Sequence, residues 1–328
     1  NLRVITNAHV TQITFDQFCA TGICYKLGGP NENERRIQAG KELILAAGAI
    51  GSPHLLQISG VGAADHLNRI GCDVRHNLPA VGANLQDHYA TRLTYRVHGA
   101  DTINNRARGL PLFTEIVKYC FGKKSILQLG PTAVFCFLKS NESLTDPDIQ
   151  INFTPGTHHH GMQSTLEKQA GFTLATWQHR PESFGYVRAK SPNPFQHPEI
   201  QPNYLAAETD RQVILSAIKI CRRLAQTDAL RPFVSEETFP GAACQTDDEL
   251  LNSAREIGQS IYHLMGTCRM GRREDQSSVV DEKLRVHGIK NLRVIDASIM
   301  PTMVSANLNA AAMMIAEKGA DMVLGKSA

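Results

Sequence analysis

Hydrophobic and polar positions divide the chain into three stretches with different rhythms. Over residues 1–92 strand-like runs alternate with turns: NLRVITNAHVTQI, ICYKLGG, then KELILAAG. This alternation predicts an α/β layer. Lys41 to Ala47 reads as a mostly apolar strand, and Gly48 and Gly51 permit tight turning. Ser52 and Pro53 then suit the N-cap and first position of a helix that stops at Gly60. From about residue 93 to 255 prolines and turns such as SPNPFQHP break the pattern. Asp148 to Phe153 and Phe172 to Trp177 are strand candidates there. Val213, Ala217, Cys221 and Leu224 mark one face of a helix, read as ordinary core packing. After Ile257 the α/β rhythm returns, with a strand at Leu292 to Asp296 and a helix from Asn309 to about Leu324. The string NLRVI at 1–5 and again at 291–295 reads as two buried strands of one sheet, not as a repeat architecture. The expected division is 1–92, 93–257 and 258–328, α/β at the two ends and α+β between them.

Composition alters this picture little. The 328 residues are 42% hydrophobic and 20% charged, with a net charge of +3. That balance suits a globular chain with a small-molecule partner and no nucleic acid. The eight cysteines form no CxxC pair and no zinc-like spacing, so free thiols in a reducing compartment are expected. No stretch approaches the ~20 apolar residues of a transmembrane helix. A soluble cytoplasmic protein is expected, with peripheral association with the inner membrane as the alternative. The chain opens at Asn1 directly into a strand-like run, so a truncated start is expected. The consecutive His158, His159 and His160 cannot easily converge on one metal ion, and a loop is the preferred reading.

Four segments carry the chemistry. They are GAIGSPHLLQISGVG (48–62), PAVGANLQDH (79–88), YHLMGTCRMG (262–271) with SVVDEKLRVHGIKNLRVIDASIMP (278–301), and SANLNAAAMMIAEKGAD (305–321). Together they resemble the glucose-methanol-choline (GMC) oxidoreductases, the last segment being nearest the choline-dehydrogenase-like branch. The resemblance implies an incomplete FAD-binding Rossmann-like domain, its middle part at 1–92 and its return at 258–328, with an inserted substrate-binding domain at 93–257. It also implies an FAD-dependent enzyme that oxidises an alcohol at its CH–OH group and passes electrons to oxygen, a quinone or another carrier. A homo-oligomer is open on this evidence.

Removing a hydride and a proton from an alcohol requires a cofactor for the first and a base for the second. Histidine suits the second because its ordinary pKa of ~6.5 lies near working pH. By resemblance the base is His263, and Asn307 stands at the position of the second catalytic partner. An asparagine amide donates to the substrate oxygen but is a poor base. Val10, Asp296, Ala297 and Asn309 match family positions near the cofactor. For Asn309 there is a physical rationale: a helix N-terminus stabilises negative charge on a reduced ring. Asn84 and His88 suit either a functional role or a polar cluster that fixes the domain junction.

The chain departs from the family at one point. No G-x-G-x-x-G turn occurs, so the pyrophosphate cradle of the first βαβ unit is absent and the chain alone is expected to be incompetent. A non-catalytic interaction module is the rival reading. A nicotinamide enzyme would need a dinucleotide fingerprint that is not present.

Overall fold

The computed structural model describes residues 2–130, 132–159 and 165–326. The chain passes through β1 (Ala8–Asp16), β2 (Cys19–Leu27), β3 (Arg35–Gln38), β4 (Leu43–Leu45), α1 (Gly48–Ile58), β5 (Tyr89–Val97), α2 (Gly109–Cys120), β6 (Val134–Leu138), β7 (Ile149–Thr154) and β8 (Gly171–Gln178). It continues through α3 (Glu208–Ala225), β9 (Val234–Phe239), α4 (Asp247–Ile257), β10 (Leu292–Val294) and α5 (Asn309–Val323), with shorter pieces between. Two compact units result. The first collects Asn1–Asp87, Ser183–Tyr204 and Tyr262–Ala328, and the second collects His88–Glu182 and Leu205–Ile261.

In the first unit β1, β2 and β3 form an antiparallel sheet, and β4 lies parallel to β10 with Leu43 opposite Leu292 and Leu45 opposite Val294. The chain therefore returns after more than two hundred residues to pair with its own early strand. Leu55, Leu56, Ile58, Leu292, Val294 and Ile299 belong to one buried cluster. Helix α5 packs closely on this layer: a Cβ at Gly319 would lie 2.5 Å from Cγ2 of Ile295.

The start of α1 differs from expectation. The helix begins at Gly48, so Ser52 and Pro53 lie inside it and are not its N-cap and first residue. Pro53 has no N–H and so leaves the carbonyl of Ala49, four residues earlier, without its helical donor. The hydroxyl of Thr267 donates to that carbonyl at 2.6 Å, which removes the objection to proline at this position. Ser52 Oγ accepts from the N–H of Ala47 at 3.1 Å and donates to Asp296 at 2.6 Å.

Leu2 to Ile5 also corrects the reading. These residues form no strand, and Leu2 and Val4 are exposed, whereas the second NLRVI supplies β10. An apolar run becomes a buried strand only with a partner edge and a covering layer, and only the second copy has both.

Ser183–Tyr204 sits with the first unit, although the sequence placed it in the middle domain. Backbone pairing of Gly185 with Leu85 is one tie, and Gln57, a buried residue of α1, is another. Its amide donates to the carbonyls of Val81 (3.1 Å) and Val187 (3.0 Å), and its oxygen accepts from the N–H of Ala189 (2.6 Å). One side chain thus fastens two distant loops to α1.

In the second unit an antiparallel sheet runs in the order β9-β5-β8-β7-β6. The strands expected near Asp148 and Phe172 are β7 and β8. Helix α3 buries Val213, Ala217 and Cys221 as the spacing predicted, in a cluster shared with Leu93, Ile151 and Leu174 of the sheet. His160 of the histidine triplet lies outside the described residues.

Candidate active site

The loops that carry the two predicted catalytic residues are held by the NLQDH segment. Gln86 exchanges backbone hydrogen bonds with Met265 (3.1 and 3.0 Å), and its side-chain oxygen accepts from the N–H of Met303 at 3.1 Å. One residue therefore pins the loop of His263 and the loop of Asn307 together. Asp87, buried next to it, accepts from the His263 N–H at 2.9 Å and from the Tyr204 hydroxyl at 2.5 Å.

These ties hold unusual backbone. Tyr262 and Ala306, the residues immediately before His263 and Asn307, have φ of +64° and +63°. Such left-handed conformations are costly for residues with a Cβ and persist where surrounding contacts over-determine them. Tyr262 is exposed, and Asp87 accepts from the N–H of the residue that follows it, which fixes the backbone at that point. Gly266 has φ of +88°, and a Cβ there would come within 2.5 Å of the Asn84 carbonyl, so the close approach of the two segments requires glycine.

The result is a side-chain pair. Asn307 Nδ2 lies 3.3 Å from His263 Nε2. With the amide as donor, the Nε2 lone pair accepts. Burial pushes the imidazole below its ordinary pKa, and the Asp87 carboxylate acts in the opposite direction. The neutral form is favoured near neutral pH, which is the form a base requires.

The predicted cofactor residues have separate settings. Val10 is half-buried on β1, an edge strand, opposite Tyr25. Asp296 is committed within the protein: it accepts from the Gly48 N–H (3.0 Å), from Ser52 Oγ (2.6 Å) and from the Ser298 N–H (2.8 Å). The carboxylate is thereby committed to three donors, and the carbonyls of the two residues are engaged as well, that of Asp296 by the Ile299 N–H at 3.2 Å and that of Ala297 by the N–H groups of Gly266 and Met300, both at 3.3 Å. Asn309 opens α5, whose N-cap Leu308 has no capping side chain, so the first-turn N–H groups retain donor capacity toward an electron-rich ligand. Asn84 donates to the Gly266 carbonyl at 3.3 Å, and His88, in the second unit, bonds the His179 carbonyl at 2.6 Å.

Sequence reasoning missed Asp87, Gln86 and Thr267. The first two stand inside the NLQDH string, where buried polar residues in succession were the available signal. Thr267 had none, because its partner carbonyl is 218 positions away.

Two profiles described as GMC oxidoreductase match this chain, one over residues 1–90 and the other over 181–316. Mitochondrial choline dehydrogenase of Homo sapiens is 38% identical over 335 residues, covering 100% of this chain and 54% of the human protein. Alcohol dehydrogenase [acceptor] of Pseudomonas putida is 36% identical over 328 residues, covering 99% of this chain and 58% of that protein. A crystal structure of formate oxidase superposes with a TM-score of 0.88 at 23% identity, covering 97% of this chain and 60% of that one, a likeness of fold. This chain thus spans less than two thirds of the length of the proteins it matches. On the two profile matches and the relatives that align along its whole length, the chain belongs to the GMC oxidoreductase family.

Proposed function

We propose that this chain works in the FAD-dependent oxidation of an alcohol to an aldehyde or ketone, with His263 as base and Asn307 as its partner. The observation that carries the reading is the 3.3 Å approach of Asn307 Nδ2 to a His263 Nε2 whose pKa burial lowers. A substrate hydroxyl that displaces the Asn307 amide from Nε2 gives its proton to Nε2 and accepts from that amide, which orients the oxygen and stabilises charge developing on it. FAD, when bound, supplies the acceptor for the hydride of the same carbon.

The residues present fit a flavin. The uncapped start of α5 suits the electron-rich end of the ring system, and its hydrogen bonds turn the Asp296 carboxylate toward Gly48, Ser52 and Ser298. In this reading the first unit is part of an FAD-binding domain, and the second is an inserted substrate-binding domain. No G-x-G-x-x-G turn to cradle a dinucleotide pyrophosphate occurs in this sequence. The relatives act, by name, on choline and on alcohols. A quaternary ammonium favours aromatic faces, and Trp177, the one tryptophan, is buried in β8. The substrate class proposed is therefore a CH–OH donor, with a primary alcohol as open as choline. Oxygen, a quinone or another carrier then takes the electrons.

The test is His263→Ala in a flavin-loaded enzyme in which this chain is completed by a dinucleotide-binding βαβ unit. Flavin reduction by substrate should slow by roughly 10²–10⁴-fold, the usual share of a general base, with bound flavin unchanged. Unaltered reduction kinetics would remove His263 from the role.

A further inference from the structure

The chain passes between its two units four times, and the first-unit residues at three of those crossings are Asp87, Tyr204 and Tyr262. Asp87 ties the three together. Its Oδ1 accepts from the N–H of His263, the residue after Tyr262, at 2.9 Å, and its Oδ2 accepts from the Tyr204 hydroxyl at 2.5 Å. The second bond lies at the short end of the range for a hydroxyl on a carboxylate. The backbone around Tyr204 is bent to make it. Asn203 and Leu205, on either side, have φ of +58° and +57°, a conformation that is costly for a residue with a Cβ and persists only where contacts impose it. Both residues have such contacts. Asn203 accepts from the Gln201 side-chain amide at 2.9 Å and donates to the Phe184 carbonyl at 3.1 Å, while Leu205 is buried in the core cluster of the second unit. Tyr204 is therefore held on both sides, with its hydroxyl on Asp87.

A phenol that donates to a carboxylate has two effects on whatever that carboxylate serves. It engages Oδ2, so the carboxylate resists rotation away from the His263 N–H on Oδ1. It also sets the positive end of the O–H dipole against the charge, which weakens the field that the carboxylate exerts elsewhere. At His263 burial lowers the proton affinity of the imidazole and the Asp87 carboxylate raises it. Among the described residues of the first unit Asp87 is the charged group acting on the ring, and the Asn307 amide, 3.3 Å from Nε2, carries no charge. A hydroxyl that tempers Asp87 therefore favours the neutral ring, the form that can accept a proton.

We propose that Tyr204 is a positioning residue for His263 that acts through Asp87: its hydroxyl fixes the carboxylate that holds the histidine N–H and tempers the charge that the imidazole feels. The inference rests on the reading of His263 as the base, but its test does not use the reaction.

The experiment is an NMR titration of the His263 ring protons in the full chain, for the wild type, Tyr204→Phe, Asp87→Asn and the double variant, with a thermal melt of each to report folding. Tyr204→Phe keeps the aromatic ring and removes the donor, so it should raise the His263 midpoint by roughly 0.3 pH or more, a twofold gain in proton affinity. In the Asp87→Asn background the same substitution should leave the midpoint where Asp87→Asn alone puts it, because the charge through which the hydroxyl acts is gone. A role in packing alone would move both backgrounds alike. The wild type gives a reading that needs no variant: the Tyr204 hydroxyl proton should appear as a downfield, slowly exchanging resonance that shifts as His263 titrates. Three outcomes overturn the proposal: a midpoint that Tyr204→Phe lowers or leaves unmoved, an equal shift in both backgrounds, or a hydroxyl resonance that ignores the His263 titration. Each would leave the proposed reaction standing, since flavin reduction in His263→Ala reports on that separately.

Discussion

Asp87 offers the sharpest test of how the candidate site is held. Replacing it by alanine removes the acceptor of two hydrogen bonds, from the His263 N–H at 2.9 Å and the Tyr204 hydroxyl at 2.5 Å, in a buried setting. Bonds to a charged group contribute roughly 1.5–3 kcal/mol each, so Asp87→Ala should lower the stability of the first unit by about 3–5 kcal/mol. Asparagine keeps an oxygen for the His263 N–H, and the tyrosine hydroxyl can turn to accept from its amide, so Asp87→Asn should cost only about 1–2 kcal/mol. The pair of variants separates tether from charge. Loss of the carboxylate removes what supports the imidazolium against burial, so the His263 pKa should fall further in Asp87→Asn. The linkage follows in sign: a histidine whose folded pKa is depressed gives stability above its unfolded value of ~6.5 that is lost as pH falls from there toward the folded pKa. The variant should therefore extend that loss to lower pH. Urea unfolding followed by circular dichroism measures the first effect, and an NMR titration of the His263 ring protons measures the second. Stability of Asp87→Ala within about 1 kcal/mol of wild type, together with an unmoved His263 titration in Asp87→Asn, would refute the reasoning.

Three further outcomes are expected. Thr267→Val keeps shape but removes the donor to the Ala49 carbonyl, and should destabilise by about 1–3 kcal/mol in urea unfolding, with faster amide exchange in the first turns of α1. Gly266→Ala forces a Cβ to within 2.5 Å of the Asn84 carbonyl at a left-handed φ; it should lower stability by about 1–3 kcal/mol or more and loosen the loop of His263, read as a sharper, more solvent-like His263 resonance. Glu115 is held down to about 2 by its bonds to Lys118 and the Ile126 N–H. A depressed carboxylate stabilises above its unfolded value of ~4.3 and loses that contribution as pH falls toward the folded value. Amide exchange of α2, corrected for intrinsic rates, should accelerate between those limits, and Glu115→Gln should remove the pH dependence.

What the sequence disclosed and what it hid divide by distance along the chain. The 3.6-residue period of Val213, Ala217 and Cys221 marked α3, and the apolar runs marked β7, β8 and β10, because each signal lies within one element. The start of α1 was misread because the local rule for Ser-Pro is sound but was overruled by Thr267, 218 positions later. The placement of Ser183–Tyr204 rests on contacts as distant as the pairing of Gly185 with Leu85 and the Gln57 side chain, which bonds Ala189 across 132 positions. His263 and Asn307 were found through the resemblance, whereas Asp87, 176 positions before its bonding partner, was passed over beside the Asn84 and His88 that drew notice. Leu2 to Ile5 shows the complementary error, since periodicity reports a face but not whether anything covers it. Helix α2 makes the same point in reverse: its apolar stripe is readable from 109 to 120, but that Leu110 and Phe113 face solvent is not.

The placement of these ties has a consequence for the order in which the site assembles. Gln86, Asp87, Thr267 and Asp296 all bond to residues of the first unit, and between them they tie both loops that carry the proposed catalytic pair, as well as the start of α1. Each of these bonds joins two groups of the polypeptide. The loop of the left-handed Tyr262 is thus tied by the polypeptide itself, and the pairing of Asn307 with His263 should be formed before flavin arrives. If so, the lowered pKa of His263 is measurable in this chain alone, and Asn307→Ala should alter it. A His263 that titrates at its ordinary value in the isolated chain, indifferent to Asn307, would mean that the cofactor organises the pair.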